Sequence, residues 1–574
     1  MSSLGSAALA SRTQDPLTEA RTLDKLFDSI AAQYPQTQCR FPADDAAISM
    51  SELAELSTRL AAGLAREGVV KGSLVGLLFP NSREFLVAFF AVLRLGAVAA
   101  ALPLPASASA LQEFGRRVQT ILRDGRVRHV VVHERFMEMA ALIPDDVSVL
   151  TFGDEIMNAA EPPAPTHLPT DLAFIQYTSG STSAPKGVAL SHANISAGLR
   201  AIVTSSEMKP DDVMVQWLPL YHDMGLFGML ASLSCGATTC VWPPSAFIRN
   251  PAKWLRNFVA LGGTLYTGPN FSYEYMLDNV SERDLGQLDL RRWRLAYNGA
   301  ESINYQILTR FIEYFGRAGF RPQAMFPVYG MAEVTLAATF PPVGRGLRVH
   351  WVDRDLLANL GEVRFVDRDD PRARAVVACG HAVFAHEVRI GTVDTGQALG
   401  ESRVGEIQVR GPAVMCGYLN KPEVSAESFH DGWLKTGDLG YMSEGELFVT
   451  GRKKELIIMH GENYYPQDIE AALHEIPDIY RSRCIAVATL DEHGERLSVL
   501  AETGVTLPEK FQALAEEIRA TVTKQLGLGR MDVHLLKRRS ILRTTSGKYQ
   551  RLLMAQQLRD KRLGELILYS LKTD

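Results

Sequence analysis

Six short segments carry side chains suited to phosphate and carboxylate chemistry. The first is Tyr177-Thr178-Ser179-Gly180-Ser181-Thr182-Ser183-Ala184-Pro185-Lys186-Gly187. Two hydroxyl runs, one glycine and one lysine suit a polyphosphate: backbone N–H groups and hydroxyls donate, and the lysine supplies a point charge. The spacing is not G-x-x-x-x-G-K-[ST], so a P-loop is not supported. Taken alone, a Ser-rich surface turn fits this segment equally well. The second segment is Trp217-Leu-Pro-Leu-Tyr221-His222-Asp223-Met224-Gly225, where a lone histidine serves structure as readily as catalysis. The third and fourth, Tyr297-Asn298-Gly299-Ala300-Glu301 and Tyr329-Gly330-Met331-Ala332-Glu333, each set a carboxylate after a glycine turn. Such a carboxylate suits Mg²⁺ held against phosphate oxygens, or the cap of a following helix. The fifth, Trp433-Leu-Lys-Thr436-Gly437-Asp438, offers an acceptor for two ribose hydroxyls, and the sixth is Thr545-Ser546-Gly547-Lys548.

These segments fall between elements that must position them. Leu172–Tyr177 reads as a strand, followed by the Gly/Ser loop and a helix opening near His192. Gly263–Thr267 reads as a strand leading into Phe271–Met276, and Leu295–Tyr297 and Met325–Val328 are two more short strands. Strand–loop–helix units in series predict an α/β fold of mostly parallel sheet flanked by helices, with ligands at the carboxyl ends of the strands. Near Gly451 the character changes. Glu446–Thr450 and Glu455–Met459 flank Gly451-Arg452-Lys453-Lys454, Pro466 opens a helix, and an amphipathic helix over Phe511–Leu526 ends at Gly527. The expected division is a large lobe over 1–450 and a small α+β lobe over 451–574, hinged at 451–454.

The chain has 574 residues, Lys plus Arg 60 and Asp plus Glu 65, for a formal charge of −5. That balance argues against general nucleic-acid binding. A hydrophobic share of 46% and a charged share of 22% exclude disorder over most of the length. The six cysteines include no C-x-x-C pair, which fits a reducing compartment. Residues 1–16 lack the basic start and apolar core of a signal peptide. Phe85–Leu102 is broken by Arg94 and Gly96, so it reads as a buried helix and strand; a span needs about 20 unbroken apolar residues. A cytoplasmic protein without an integral membrane segment is expected.

In this order and at these separations, the segments resemble the adenylate-forming superfamily of acyl-CoA synthetases, adenylation domains and luciferases, from about residue 20 to 560. Within it, Tyr221–Leu226, Gly268-Pro-Asn-Phe271, Asn298–Glu301 and Tyr465–Glu470 resemble the fatty acyl-AMP ligases. Glu333 to Gly380 spans 47 positions, and the excess, about 340–378, falls where that subfamily carries an insertion that restrains the small lobe. A solvated loop suits its many charges as well. Two departures are Leu542-Arg543-Thr544, where relatives often carry a proline, and His381, where many carry arginine.

The resemblance implies ATP-dependent conversion of a fatty acid to acyl-AMP, then transfer to the phosphopantetheine thiol of an acyl carrier protein, for lipid or polyketide/peptide assembly. The alternative is transfer to coenzyme A. It implies Thr178 and Glu333 as ligands of Mg²⁺. Thr178, Ser179, Gly180, Ser181, Thr182 and Lys186 would meet the phosphates of ATP. Asn298, Gly299 and Ala300 with Tyr329 would frame the adenine, Gly330, Met331 and Ala332 would join in binding ATP, and Asp438 and Arg452 would bind the ribose. Lys548 would bridge carboxylate and α-phosphate, and Lys454 would be the pivot. His222 joins Lys186, Glu333 and Lys548 as a catalytic candidate. His222, Met224, Gly225, Phe227, Gly228, Phe271 and Met331 are candidates for the acyl pocket. The basic stretch from Lys537 to Arg562 suits an acidic carrier protein.

Overall fold

The computed structural model describes residue 17 and residues 21–105, 111–157, 162–164, 166–178, 185–459, 462–491, 494–544 and 547–572. Two seven-stranded sheets carry the large lobe. The first runs, in spatial order, Met325–Pro327, Leu295–Asn298, Leu265–Gly268, Val213–Gln216, Thr238–Val241, Gln38–Phe41 and Ala46–Ser49. It is parallel until its last pair. The second holds Leu74–Leu78, Val98–Ala101, His129–Val132, Ser148–Thr151 and Leu172–Thr178 in parallel. A third sheet, over Glu387–Gly391, Gly405–Arg410, Phe429–His430, Trp433–Ser443 and Glu446–Arg452, is antiparallel.

The helix Asp223–Ser234 is buried at every residue from Met224 onward. It has no polar stripe to show to water, which is why it lies within the core. Arg83–Arg94 is likewise buried over nine consecutive residues and leads to the buried strand Val98–Ala101, as the break at Gly96 implies. Among the described residues, no helix is long and apolar enough to cross a membrane. All six cysteines are unpaired.

The Gly/Ser loop departs from the sequence expectation in one respect. The strand Lys186–Ser191 intervenes before the helix His192–Ser205 and pairs antiparallel with Leu172–Thr178, from Thr178↔Lys186 to Leu172↔Ser191. The two strands are therefore antiparallel neighbours, and Lys186 is fixed by the ladder opposite Thr178. Gly187-Val-Ala-Leu-Ser is a strand because Val188 and Leu190 pack into one core and Ala189 into the other.

The excess over 340–378 is a built element: the strands Val349–Asp353 and Ala373–Val377 pair antiparallel around the helix Arg354–Asn359. Val352, Leu357 and Val376 bury against Tyr441 and Phe448 of the third sheet and against Tyr465. Glu446–Arg452 stays in the third sheet through Arg452, which pairs with Asp438; the turn Lys453–Glu455 follows. Beyond it lie Ile479–Asp491, Gly494–Thr503, Met531–Leu536 and Ile567–Leu571, one four-stranded sheet. Helices Pro466–Ala472 and Phe511–Leu526 bury apolar residues on one face of that sheet, and Arg551–Arg559 on the other. Gly527 takes φ +71° and closes the long helix, as its place in the sequence suggests.

Candidate active site

Three parallel strands of the first sheet end level, with Gly268, Asn298 and Pro327 in register. The chain beyond each end turns into a common cleft. Helix Asn270–Asn279 follows the first and presents Phe271, Ala300 follows the second, and Tyr329 the third. The cavity there measures about 960 Å³. Thr178, Lys186, His222, Met224, Gly228, Phe271, Ala300, Tyr329, Gly330, Met331, Ala332, Glu333, Asp438, Arg452, Lys454 and Lys548 all line it. Six distant segments thus converge, and the last lies beyond the turn at Lys453–Glu455.

Asp438 is the hub of one end. It accepts a hydrogen bond from the Tyr329 hydroxyl at 2.9 Å and pairs with Arg452 Nε at 3.1 Å. Gly437, at φ +76°, gives the turn that brings Asp438 into line, and the Asp438 N–H donates to Thr436 Oγ1 at 3.1 Å. Glu333 sits at the other end, toward Thr178 and Lys186. Tyr418 donates to its carboxylate at 2.9 Å, while Lys186 Nζ stands 4.9 Å from the centre of the same tyrosine ring. Burial raises the Glu333 pKa, against the Tyr418 hydrogen bond, which lowers it. Thr178 Oγ1 faces the Lys186 carbonyl at 3.5 Å. The Glu333 carboxylate and the Thr178 hydroxyl line the same cavity, and such oxygen donors fit a hard divalent cation such as Mg²⁺.

Between the two ends, Lys548 comes from the small lobe. Thr544 holds its turn at both ends, donating its N–H to the Lys548 carbonyl at 2.8 Å and accepting from the Lys548 N–H through Oγ1 at 3.1 Å. Gly547 takes φ +89°, and an added Cβ would lie 3.0 Å from the Phe271 ring, so the turn presses against the large lobe. Removal from water lowers the Lys548 pKa, Arg452 lowers it further, and Asp223, Glu301 and Asp438 oppose the shift. His222 caps helix Asp223–Ser234, and its Nδ1 lies 2.7 Å from Asp223 Oδ1. The Asp223 carboxylate is half-buried; loss of water raises its pKa, but His222 and, more weakly, Lys548 lower it below the ordinary value.

Several candidates fall elsewhere. Gly225 and Phe227 do not line the cavity. A Cβ on Gly225 would meet the Pro219 carbonyl oxygen at 2.2 Å, so this glycine permits close backbone packing. Phe227 points the other way, edge-on to Phe174 at 5.9 Å in the core. Asn298 is fully buried behind the wall, its Nδ2 3.5 Å from the Gly268 carbonyl, and Gly299 packs against Val328. Ser179, Gly180, Ser181 and Thr182 lie outside the described residues, as do Thr545 and Ser546.

Sequence reasoning missed Tyr418, Asp223, Arg543 and Glu274. Tyr418 stands on the two-residue strand Gly417–Tyr418, which adds to the phosphate-loop hairpin at Tyr418↔Val188. The only sequence signal was an aromatic beside a glycine, which is too common to single out. Arg543, at the position that departs from the relatives, stacks 4.1 Å over Tyr549 and 5.7 Å from Phe271. Glu274 is half-buried in the same cleft, and its pKa is pushed up to about 7 by loss of water and by Asp278.

One cleft thus gathers Lys186, Glu333, Asp438 and, from beyond the turn Lys453–Glu455, Lys548, the set that the resemblance to adenylate-forming enzymes implies. Comparison with known proteins agrees. The model of the AMP-binding enzyme family matches residues 27–419, and that of the AMP-binding enzyme C-terminal domain matches 461–555. A putative acyl-CoA synthetase of Caulobacter vibrioides is 32% identical over 88% of this chain and 89% of its own length. The medium-chain-fatty-acid–[acyl-carrier-protein] ligase JamA of Moorena producens is 33% identical over 88% of each. A solved structure from work on fatty acyl-adenylate ligases of E. coli and L. pneumophila superposes with TM-score 0.88 at 31% identity, over 95% of this chain and 98% of that one. The chain belongs to the AMP-binding enzyme family, and within it to the fatty acyl-AMP ligases.

Proposed function

We propose that this enzyme joins a fatty acid to AMP and passes the acyl group to the phosphopantetheine thiol of an acyl carrier protein. The observation that carries this reading is the presence of Lys548 in one cavity with Lys186, Glu333 and Asp438. The fatty acid's carboxylate attacks the α-phosphorus of ATP; the new P–O bond forms as the bond to pyrophosphate breaks, and pyrophosphate leaves with the electron pair. Two anions must meet, so positive charge has to be placed before they do. Lys186 screens the departing phosphates, Lys548 lies between carboxylate and α-phosphate, and Asp438 with Tyr329 holds the ribose. Glu333 and Thr178 would hold Mg²⁺, which supplies further charge screening when bound. His222 and Asp223 shape the entrance used by the carboxylate, and Met224, Gly228, Phe271 and Met331 face the acyl chain.

Transfer to a thiol requires Lys548 to leave. Lys454, in the turn Lys453–Glu455, is the proposed pivot. The hairpin over 349–377 limits that swing. It touches the small lobe through Arg374 to Asp468 at 2.9 Å, Asn359 to the Asn463 N–H at 2.7 Å, and Arg354 to the Gln525 carbonyl. Such a tether disfavours the rearrangement that free coenzyme A would need. JamA, by name, ligates to a carrier protein, whereas the Caulobacter relative is named for coenzyme A. The deciding experiment supplies ATP and a panel of straight-chain acids with coenzyme A or with phosphopantetheinylated carrier protein. Carrier loading well above acyl-CoA formation is expected; acyl-CoA formation at a rival rate would overturn the choice of acceptor.

A further inference from the structure

Lys548 must arrive in one orientation, yet it belongs to the small lobe. It is carried by a short antiparallel clip. Arg543 pairs with Tyr549, the Gln550 N–H donates to the Leu542 carbonyl at 3.0 Å, and Thr544 bonds Lys548 twice. The root of the clip is tied to its own lobe. Arg551 donates to both carboxylate oxygens of Glu470, at 2.8 and 2.6 Å, and to Glu455 in the turn Lys453–Glu455 at 3.0 Å. These bonds make the clip travel with the small lobe; they do not place it against the large one.

Phe271, on the large-lobe helix Asn270–Asn279, supplies the seat. The clip meets its ring at two points: a Cβ on Gly547 would lie 3.0 Å from it, and the Arg543 guanidinium stands 5.7 Å from its centre. The seat is itself fixed. The Phe271 ring lies edge-on to Trp217 at 6.3 Å and 5.5 Å from Tyr275, and the buried Trp217 donates to the Tyr266 hydroxyl at 3.0 Å. Arg543 is held from its own side too. It donates to the Tyr549 hydroxyl at 2.5 Å and stacks 4.1 Å over that ring, so one guanidinium meets an aromatic ring of each lobe. A second contact of the same kind lies one turn along the helix, where Arg481 of the small lobe stands 5.8 Å from the Tyr275 ring.

A purely apolar contact would let the clip slide over Phe271. A guanidinium also has a charge to place. The Phe271 N–H donates to Glu301 Oε1 at 3.5 Å, and Glu274 follows Phe271 by one turn on the same helix face. Both carboxylates line the cavity with Arg543, which opposes the rise that loss of water causes in the pKa of each. Closing the lobes therefore brings a cation to an aromatic face flanked by two carboxylates, a combination that favours one seating over a sliding contact. We propose that Arg543 is a positioning residue for the adenylation step: docked on Phe271 beside Glu274 and Glu301, it seats the clip so that Lys548 reaches the reacting carboxylate. The proposal rests on the adenylation reading above. Arg543 acts through Lys548, and it is not needed once acyl-AMP has formed and the small lobe has swung away.

The test compares wild type with Arg543→Leu, which removes the charge and keeps bulk, and Arg543→Lys, which keeps the charge. Thermal melts show that all three fold. ATP–pyrophosphate exchange with an acid that the wild type activates gives kcat and the KM for ATP. Acyl transfer is measured separately, from chemically prepared acyl adenylate to the thiol that the wild type accepts, carrier-bound or coenzyme A. A misplacement of about 1 Å can cost about 100-fold, so Arg543→Leu is expected to lower exchange kcat by about tenfold or more. The KM for ATP and the transfer rate should change little, and Arg543→Lys should recover most of kcat. Unchanged exchange by Arg543→Leu overturns the proposal, and so do equal losses in exchange and transfer, which would make the residue merely structural. A lysine variant as slow as the leucine variant overturns the role given to the charge. Activation of no acid by the wild type overturns the adenylation reading itself, whereas wild-type exchange with an unaffected Arg543→Leu leaves that reading standing and removes this proposal alone.

Discussion

Tyr418 donates a hydrogen bond from its hydroxyl to the Glu333 carboxylate across 2.9 Å and turns its ring toward Lys186. It thereby joins the two sides of the phosphate end of the cleft. Tyr418→Phe keeps the ring and removes the donor. The Glu333 pKa, already raised by burial, should rise further, so a larger fraction is protonated near neutrality and unfit for a cation. Loss of such an outer partner weakens metal binding by about 10–100-fold. The expected outcome is a higher Mg²⁺ requirement in ATP–pyrophosphate exchange, most pronounced at low pH. An unchanged Mg²⁺ titration would show that Glu333 does not hold the ion.

Gly228 is expected to set how long an acid fits. Gly228→Leu puts a side chain into open cavity without straining the helix, because the space beyond its Cβ is free. Each buried methylene contributes about 0.8 kcal/mol, so long acids should lose about tenfold or more in kcat/KM while short acids are spared. Chain-length profiles of the two enzymes decide it; coincident profiles would place the tail elsewhere.

Arg374 ties the 349–377 hairpin to the small lobe. Its guanidinium pairs with Asp468 at 2.9 Å, lies 4.2 Å over Tyr465 and donates to the Thr450 carbonyl at 2.6 Å. Burial raises the Asp468 pKa and Arg374 opposes it. Removing one partner of a buried pair strands the other charge. Arg374→Ala should lower thermal stability and increase acyl-CoA formation relative to carrier loading, measured side by side. A destabilised variant with an unaltered acceptor ratio would show that the hairpin only supports the fold.

Glu274 makes stability depend on pH. Its folded pKa of about 7 exceeds the ordinary 4.5, so the protonated form is favoured by the fold. Its contribution is fully present below pH 4.5 and is lost as pH rises through about 7, to the extent of at most about 3 kcal/mol. Glu274→Gln should raise the melting temperature at pH 8 and change it little at pH 4.5. Equal shifts at both values would contradict this assignment.

Much of this arrangement was legible in the sequence because chemistry demands particular residue types at strand ends. Asp438, Glu333, Lys186 and Lys548 could each be named from a short motif, and the helix Phe511–Leu526 from its period and its glycine stop. What failed was orientation. Gly225 and Gly228 are one helical turn apart and look alike on paper, yet one meets the Pro219 carbonyl and the other faces the cavity. Phe227 stands near Met224 in the sequence and so reads as part of the pocket, although it turns toward Phe174. The strand Lys186–Ser191 was hidden because a buried strand of five or six residues has no distinctive period. Tyr418 reaches the site only through long-range pairing with Val188, a relation that no local pattern encodes.

The most direct test of the account is ATP–pyrophosphate exchange by Lys548→Ala with a fatty acid that the wild type activates. Loss of one preorganised donor typically slows reaction by about 10²–10³, and a fall of at least that size is expected, with the fold intact by thermal melt. Because the cleft lowers the Lys548 pKa, the wild-type rate should also fall at high pH earlier than an ordinary lysine would dictate, as the protonated form is lost. Near-normal exchange by Lys548→Ala would contradict the claim that the small lobe delivers its lysine to the reacting carboxylate.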